Sequence, residues 1–594
     1  MTDIQDRGVT ELSEQSLINR IRIAIVCATV FLSALVYSTQ IASFLHAKLF
    51  VLACGLTLLA AVSIFAPRSP KMRISAIALL GCFFVVAVNM AHFFTEPHPL
   101  RVKENRYSEY VFMLQFVLPL FLGLGFQLFR REDNRRWIII AIVVTATSAA
   151  ALAIAQYAGL ITFLFPKFPG ASRVYSVFGN SGLLGGYLAV AIPLALAKYL
   201  NEKATASILV VAMAIMACAL LLSGARTAWF ACAVGCAICV WRSADLRKIG
   251  LLCGVLAGVT AACVLLAPAN TVSRAASLFS GSDAGANLRM WFWAGTWQMI
   301  REHLLTGVNI GRFPIESPAY FGKVLWAPGG ERFMHNTLLT EHPHNDFLLI
   351  WAEAGIFGIA LIAWLFCRLS RCRGPEWGGL AAWFLFACFN SPLHSPPHLL
   401  VGCLLVVCLV LRSTPNESPE SKAHLWSRRA IAAIALMLAP LLWFSLVLPS
   451  YKLQQAQRAH VEGRPSLALY SDAAAYAGML ASEIDEKCGI ALLDVKDYKS
   501  ARDRFRSALR GSDSGSVWLG LGTAEYQLGN KSDAYAALEK AVYRWPSHLN
   551  AWRLLMRTCP ASERVAWLDK AKRFLRSSEI KTLEREAVGE ASPI

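Results

Sequence analysis

Apolar runs, each about the length of one bilayer crossing, alternate with short polar segments through the first three quarters of this chain, and then the pattern changes. A helix needs about 20 consecutive apolar residues to cross the hydrocarbon core, because lipid offers no partner for an exposed backbone amide. Thirteen candidate spans fit, near 21–45, 49–66, 74–94, 107–128, 137–158, 182–200, 206–222, 227–241, 249–267, 347–367, 377–391, 398–411 and 430–448. The first follows a polar leader containing Asp3, Asp6, Glu11 and Glu14 and is too long for the apolar core of a signal peptide, so it is expected to stay as an anchor. The runs 227–241, 377–391 and 398–411 are short enough for one of them to be re-entrant.

Residues 450–594 carry a different period. Trp518, Leu521, Gly522, Gly529, Ala534, Leu538, Ala541 and Pro546 fall at the spacings of a tetratricopeptide repeat, with Glu525 where that pattern prefers Tyr. Small residues recur every 33 positions, as Ala468, Ala501 and Ala534 and as Ala475, Ala508 and Ala541. Three helical hairpins, with a candidate fourth around Trp552, are expected to stack into a short solenoid, since one hairpin alone cannot bury its apolar face. The expected fold is therefore all-α: a polytopic transmembrane bundle with a C-terminal, tetratricopeptide-like α-solenoid. Its domains are a leader 1–20, a membrane domain 21–449 containing a long loop 268–346, and a solenoid 450–594.

Composition agrees with a membrane bundle. Of 594 residues, 56% are hydrophobic and 16% charged, with a mean hydropathy of +0.47, which excludes a soluble enzyme for most of the chain. Cysteines such as Cys27, Cys54, Cys82, Cys232, Cys253 and Cys403 lie inside apolar runs and read as small hydrophobes. The net charge of +18 is gathered in short clusters between spans, which points to topology and away from nucleic acid. Lys and Arg resist translocation. Alternate loops hold Arg68, Lys71 and Arg73; Arg130, Arg131, Arg135 and Arg136; Lys198 and Lys203; Arg242, Arg247 and Lys248; Arg368, Arg371 and Arg373; and Arg412, Lys422, Arg428 and Arg429. The loops between them are poorer in cations, with Lys48 alone near 46–48 and none in 390–397, although Arg101, Lys103 and Arg106 run against the trend. This alternation puts the N-terminus in the cytoplasm. Loops 159–181, 223–226 and 268–346, and everything after 449, then lie outside.

The long loop is the first place to look for chemistry, because loops longer than about 15 residues are usually functional or disordered. It holds Trp291, Trp293, Trp297, Phe313, Tyr320, Phe321, Trp326 and Phe333, which suit either sugar rings or an interfacial aromatic belt. It ends in Glu341-His342-Pro343-His344-Asn345-Asp346-Phe347-Leu348. A His at the mouth of a bundle can act as a general base. It can also be merely solvated, or pair with His342 and His335 on a metal, for which no Cys or repeated carboxylate spacing speaks. Arg226, in the turn Ser223-Gly224-Ala225-Arg226, and Arg289, in Asn287-Leu288-Arg289-Met290-Trp291, are two permanent cations expected on the same side. A guanidinium grips phosphate oxygens bidentately or simply snorkels to headgroups.

At these residues the sequence resembles the O-antigen ligase and polymerase superfamily. The resemblance rests on His344-Asn345 followed by Phe347-Leu348, Glu353, Gly355 and Gly358; on Ser223-Gly224-Ala225-Arg226; and on the run from Arg289 through Trp297, Ile300, His303, Leu304, Leu305, Gly307 and Gly311 to Phe313. Phe178-Gly179-Asn180-Ser181, with Gly185-Gly186-Tyr187, matches more weakly. Two departures stand out. His335-Asn336 is a second His-Asn pair with no apolar span after it, and Ala225 stands where the family often has Ser.

The resemblance implies a membrane glycosyltransferase. It would move a glycan from a polyprenyl (undecaprenyl) diphosphate carrier to an acceptor hydroxyl at the outer face of the bacterial inner membrane, with inversion and without metal or cofactor. His344 would be the catalytic base, and Arg226 and Arg289 would bind the diphosphate. Ligase, chain polymerase and protein O-oligosaccharyltransferase share these motifs, so the acceptor is a glycolipid, a glycan or a protein, as in polysaccharide and lipopolysaccharide assembly. A lipid-linked glycan transporter is the competing class; it usually needs ionisable groups or broken helices near the midplane, where Glu353 is the clearest candidate, with His92 and Glu109 toward span ends. The solenoid is expected to bind a protein partner.

Overall fold

Apolar sequence with few breakers folds as helix, and among the described residues every regular element is helical. The computed structural model describes residues 2–65, 113–125, 128–162, 173–201, 206–241, 250, 254, 258, 284–333, 340, 342–412, 429, 432–476 and 478–588. In chain order the membrane part contains α1 (Thr2–Leu35), α2 (Phe44–Ile64), α3 (Leu118–Gly125), α4 (Glu132–Tyr157), α5 (Ser181–Asn201), α6 (Ala206–Ser223) and α7 (Arg226–Trp241). The long loop contributes α8 (Ala284–Glu302) and α9 (Phe313–Trp326). Then come α10 (Asp346–Ser370), α11 (Trp377–Ala387), α12 (Pro396–Arg412) and α13 (Ala432–Val461).

Seven of these are long and apolar enough to cross a membrane: Leu17–Leu35 within α1, and α2, α4, α5, α6, α10 and α13, with α7, α11 and α12 as shorter apolar helices. The expected span 74–94 lies outside the described residues, as do His92, Glu109 and residues 268–283, and of the expected span 249–267 only residues 250, 254 and 258 are described. The run 107–128 is described from Met113, where a π-helical turn precedes α3. The first span ends earlier than expected, at Leu35 instead of 45. Lys48 is not a loop cation but sits in the second turn of α2, buried, with its ammonium 2.5 Å from Ala34 O and 2.8 Å from Val36 O. It satisfies carbonyls that the end of α1 leaves without helical partners.

Contacts gather one set of helix ends on one side. Ala42 N donates to Ser450 Oγ (2.9 Å), Tyr175 N and Ser176 N donate to Gln156 Oε1 (3.0 and 2.9 Å), and His398 Nε2 donates to Leu183 O (2.8 Å). The long loop and the tail emerge from this side, called here the loop side. At the other end Arg412 reaches Glu376 at 3.1 Å and Glu132 at 3.7 Å.

The span α10 is broken. At Gly355 the backbone takes φ 60° and ψ −151°, a region essentially closed to other residues. Loop residues fill the break: Val308 N donates to Ala352 O (2.8 Å), Asn309 N to Glu353 O (3.0 Å), and Ile356 N to Leu304 O (3.0 Å). Contact is so close that a Cβ on Gly307 would lie 2.3 Å from Glu353 O and one on Gly355 would lie 2.2 Å from Leu305 O. The buried Glu353 carboxylate accepts from Gly311 N (2.9 Å) and Phe313 N (3.2 Å), so the ionisable group that the sequence offers most clearly inside a span is spent on fastening the loop.

Helix α13 runs without a stop from the membrane part into the tail. The tail continues with α14 (Leu467–Ala475), α15 (Ala481–Asp494), α16 (Tyr498–Ala508), α17 (Gly515–Gln527), α18 (Lys531–Arg544), α19 (Leu549–Thr558), α20 (Arg564–Ala571) and α21 (Ser577–Val588), each touching its neighbour. Ala501, Ala508, Ala534 and Ala541 are buried, and a Cβ on Gly522 would fall 2.6 Å from Leu538. The first unit departs from the expected register: Ala468 and Ala475 are exposed, and Tyr470 and Ala473 face inward. Its helix packs on one side against the end of α13, where Tyr470 meets His460 at 6.3 Å, and on the other against α15. Glu525 is buried because Arg506 (2.6 Å) and Asn530 (2.7 Å) both bind its carboxylate. Cys488 and Cys559 are both free thiols.

The break gives a stability test. Gly355→Ala adds backbone strain to steric overlap and is expected to cost about 3 kcal/mol or more. Gly329→Ala, at φ +75° but with nothing within 4 Å, is expected to cost only about 1 kcal/mol. Thermal unfolding of the two variants in detergent measures this, and equal shifts would contradict the role given to the break.

Candidate functional site

The site grows from the first turn of α10. Asn345 caps this helix, its side-chain oxygen accepting from Phe347 N (3.0 Å) and Leu348 N (3.1 Å), which satisfies two donors left open at a helix start. The chain arrives at the cap through His344, whose φ of +54° is rare for a side chain with Cβ. The buried Asp346 accepts from Leu393 N at 3.0 Å and draws the α11–α12 connection underneath.

Rings then enclose His344. Phe292 of α8 stacks on it with centroids 5.9 Å apart and planes inclined by 19°. His342 meets it edge-on at 4.6 Å, and His394 meets His342 at 4.9 Å. Trp293 donates its indole N–H to Pro343 O at 3.0 Å, tying α8 to the same segment.

Arg289 lies just under one turn before Phe292 on α8 and donates through Nε to Phe389 O at 3.1 Å. Arg226 begins α7, after a turn in which Gly224 has φ +61°. A Cβ on Gly185 would lie 2.6 Å from Ala225 Cβ, so α5 presses against this turn and a small residue fits there. The next residue, Thr227, accepts from Asn390 Nδ2 at 2.9 Å. Asn180 caps α5 by accepting from Gly182 N at 2.7 Å, and a Cβ on Gly182 would lie 3.0 Å from Asn180 Oδ1 and 3.7 Å from Asn390 Oδ1. Four stretches singled out in the sequence therefore meet around residues 389–394: the His344 segment, the Arg289 helix, the Arg226 turn and the Asn180 cap. The meeting point itself carries only a weak sequence signal, a polar Asn390-Ser391 ahead of Pro392 between two short apolar helices, and nothing in the pattern singles out His394. His335-Asn336 and Glu341 lie outside the described residues.

Electrostatics give the imidazoles a defined state. Burial, and after it the positive charge of Arg289, push His344 down to about 4. His394 is pushed to about 3 by burial and by His344, and His342 also falls well below its ordinary value, by burial first and then by its two His neighbours. All three rings are thus neutral at pH 7, and His344 is free to take up a proton. Among the described residues no three His, Cys, Asp or Glu side chains form a group that could hold a metal.

Most loop aromatics are structural. Trp291, Phe313, Phe321 and Phe333 are buried, Trp291 donating to Phe321 O at 3.1 Å. Trp297, 47% exposed, meets Trp351 edge-on at 5.6 Å, so it alone of the loop tryptophans presents a wide open surface.

Apolar helices long enough to cross a bilayer, gathered around a polar centre on one side, define a polytopic helical membrane protein. Residues 211–363 match the model of a family described as O-antigen ligase, about a quarter of the chain. That match supports the ligase and polymerase superfamily, and it contains Arg226, Arg289, His344 and the Gly355 break. The comparison with curated proteins gives no match.

Because Arg289 is a cause of the low His344 value, Arg289→Gln is expected to raise the His344 pKa from about 4 toward its ordinary 6.5. The pH dependence of His344 alkylation in the full-length protein measures this. An unchanged profile would mean that the two groups do not share one field.

Proposed function

We propose that this protein transfers a glycan from a polyprenyl diphosphate carrier to an acceptor hydroxyl at the outer face of the bacterial inner membrane, by a metal-independent, inverting route. The N-terminus lies in the cytoplasm and the loop side, with the repeat-like tail, faces the periplasm. The observation that carries this reading is the convergence of Arg289, His344 and, through Thr227 and Asn390, the Arg226 turn, within a stretch that matches the O-antigen ligase family.

His344 takes the proton of the acceptor hydroxyl as the oxygen attacks the anomeric carbon. The sugar–phosphate bond breaks on the opposite face, and the carrier diphosphate leaves with the electron pair. Arg226 and Arg289 hold that diphosphate and stabilise the charge growing on it, an electrostatic effect that is strongest where water is excluded. Substrate also prepares the base: a diphosphate beside Arg289 offsets the charge that depresses His344 and so increases its affinity for a proton.

Transport is the weaker reading. A broken span is a feature of transporters, yet here the loop backbone closes the break and Glu353 is bound to loop amides. The ligase-like reading shares its chemistry with a chain polymerase acting on a second lipid-linked glycan and with a protein O-oligosaccharyltransferase acting on Ser or Thr. Glycan profiling of a deletion strain separates the three acceptors.

With lipid-linked glycan and acceptor, the purified protein in detergent is expected to form product, with EDTA leaving the rate unchanged. His344→Ala is expected to lower kcat by a factor on the order of 10² to 10⁴. The acid limb of kcat should lie at higher pH than that of kcat/KM, since the latter reports the free enzyme. A His344→Ala variant working at the wild-type rate would remove the base from this account.

A further inference from the structure

The loop helix α9 is held from two sides. On the tail side it comes so close to α18 that a Cβ on Gly322 would fall 2.6 Å from Tyr543 O. One turn further on, Trp326 lies parallel to Tyr543, with centroids 6.2 Å apart and planes inclined by 6°, and it meets Phe574 at 4.6 Å. Its indole N–H donates to Tyr543 O at 3.0 Å. Arg573 donates to Trp326 O (3.3 Å) and Ala327 O (3.1 Å) and reaches Glu331 at 3.2 Å. A cation on carbonyls left open at a helix C-terminus is a favourable cap.

On the membrane side, α9 begins at the amide of Phe313 bound by Glu353. Its Phe321 meets Phe292 at 5.2 Å, and a Cβ on Gly295 would lie 2.4 Å from the Phe321 ring. Phe292 is the ring stacked on His344, and Arg289 precedes it on the same helix. A continuous line of packed groups therefore runs from the tail through α9 to α8. Trp326, which the sequence offers as a sugar platform or belt residue, is spent on this joint.

The geometry points to a clamp: the C-terminal tail grips α9 and through it fixes α8, so that Trp326 and Arg573 are positioning residues for Arg289 and for the ring that covers His344. The kinetic consequence rests on the glycosyl-transfer reading; the clamp itself does not. A tail held in this way is part of the support of the site, and the face that carries Tyr543 and Phe574 is already occupied.

The test uses the full-length protein in detergent and reads amide hydrogen exchange in α8 together with KM and kcat for the lipid diphosphate glycan. Trp326→Ala removes the anchor. Gly322→Ala wedges α9 from α18 and leaves the tail sequence untouched. In both, exchange in residues 284–302 is expected to rise about tenfold or more, with KM rising by a larger factor than kcat falls, while exchange in α15–α17 stays as in the wild type. Trp326→Phe, which keeps a ring at the joint, should restore most of both effects. Unchanged exchange in α8 in both the Ala variants, with normal transfer, sinks the clamp alone. Faster exchange in a protein whose wild type makes no product supports the clamp and sinks the transfer reading.

Discussion

A helix that breaks inside a bilayer leaves amide and carbonyl groups that lipid cannot satisfy, and the placing of the long loop follows from how this chain meets that demand. At Gly355 the span α10 opens, and the backbone of residues 304–309 supplies the missing partners. The loop is therefore held into the membrane bundle by backbone pairing, and Glu353 fastens the next turn. Once this joint is made, α8 lies beside the first turn of α10, Phe292 covers His344, and Arg289 comes within electrostatic reach of the imidazole. Charge, burial and ring stacking at the site are consequences of one closed break.

Much of this was legible as pattern and little of it as contact. His344-Asn345 ahead of an apolar run can be read from the chain, and its physical meaning is now specific: Asn345 is the cap and His344 the residue that the cap forces into a left-handed turn. Gly307, Gly355 and Glu353 stand out as a spaced set, but their spacing does not reveal that the first two touch or that the carboxylate binds loop amides. Asn390 and His394 stayed hidden because a short polar connection between two short apolar helices looks like any other connection. Lys48 misled because a cation near a span end reads as loop, while its ammonium serves as a cap for the neighbouring helix.

The tail shows the same division. Its period of 33 positions is visible in Ala501, Ala508, Ala534 and Ala541, all of them buried, and it fails at Ala468 and Ala475, where α14 rests on the end of a membrane helix. Periodicity describes how repeats stack on each other and carries nothing about what else they touch. Trp326 could be taken for a belt residue because its partners, Tyr543 and Phe574, are more than 200 positions away.

The proposed chemistry requires two guanidinium groups and one imidazole around a single phosphate-bearing lipid on the loop side of the bundle. An electron-microscopy structure of the full-length protein in a nanodisc, with a lipid diphosphate glycan bound, tests it most directly. Diphosphate density is expected in contact with both Arg226 and Arg289, with the anomeric carbon facing His344. Diphosphate density at the opposite end of the bundle, or in contact with neither arginine, would contradict it.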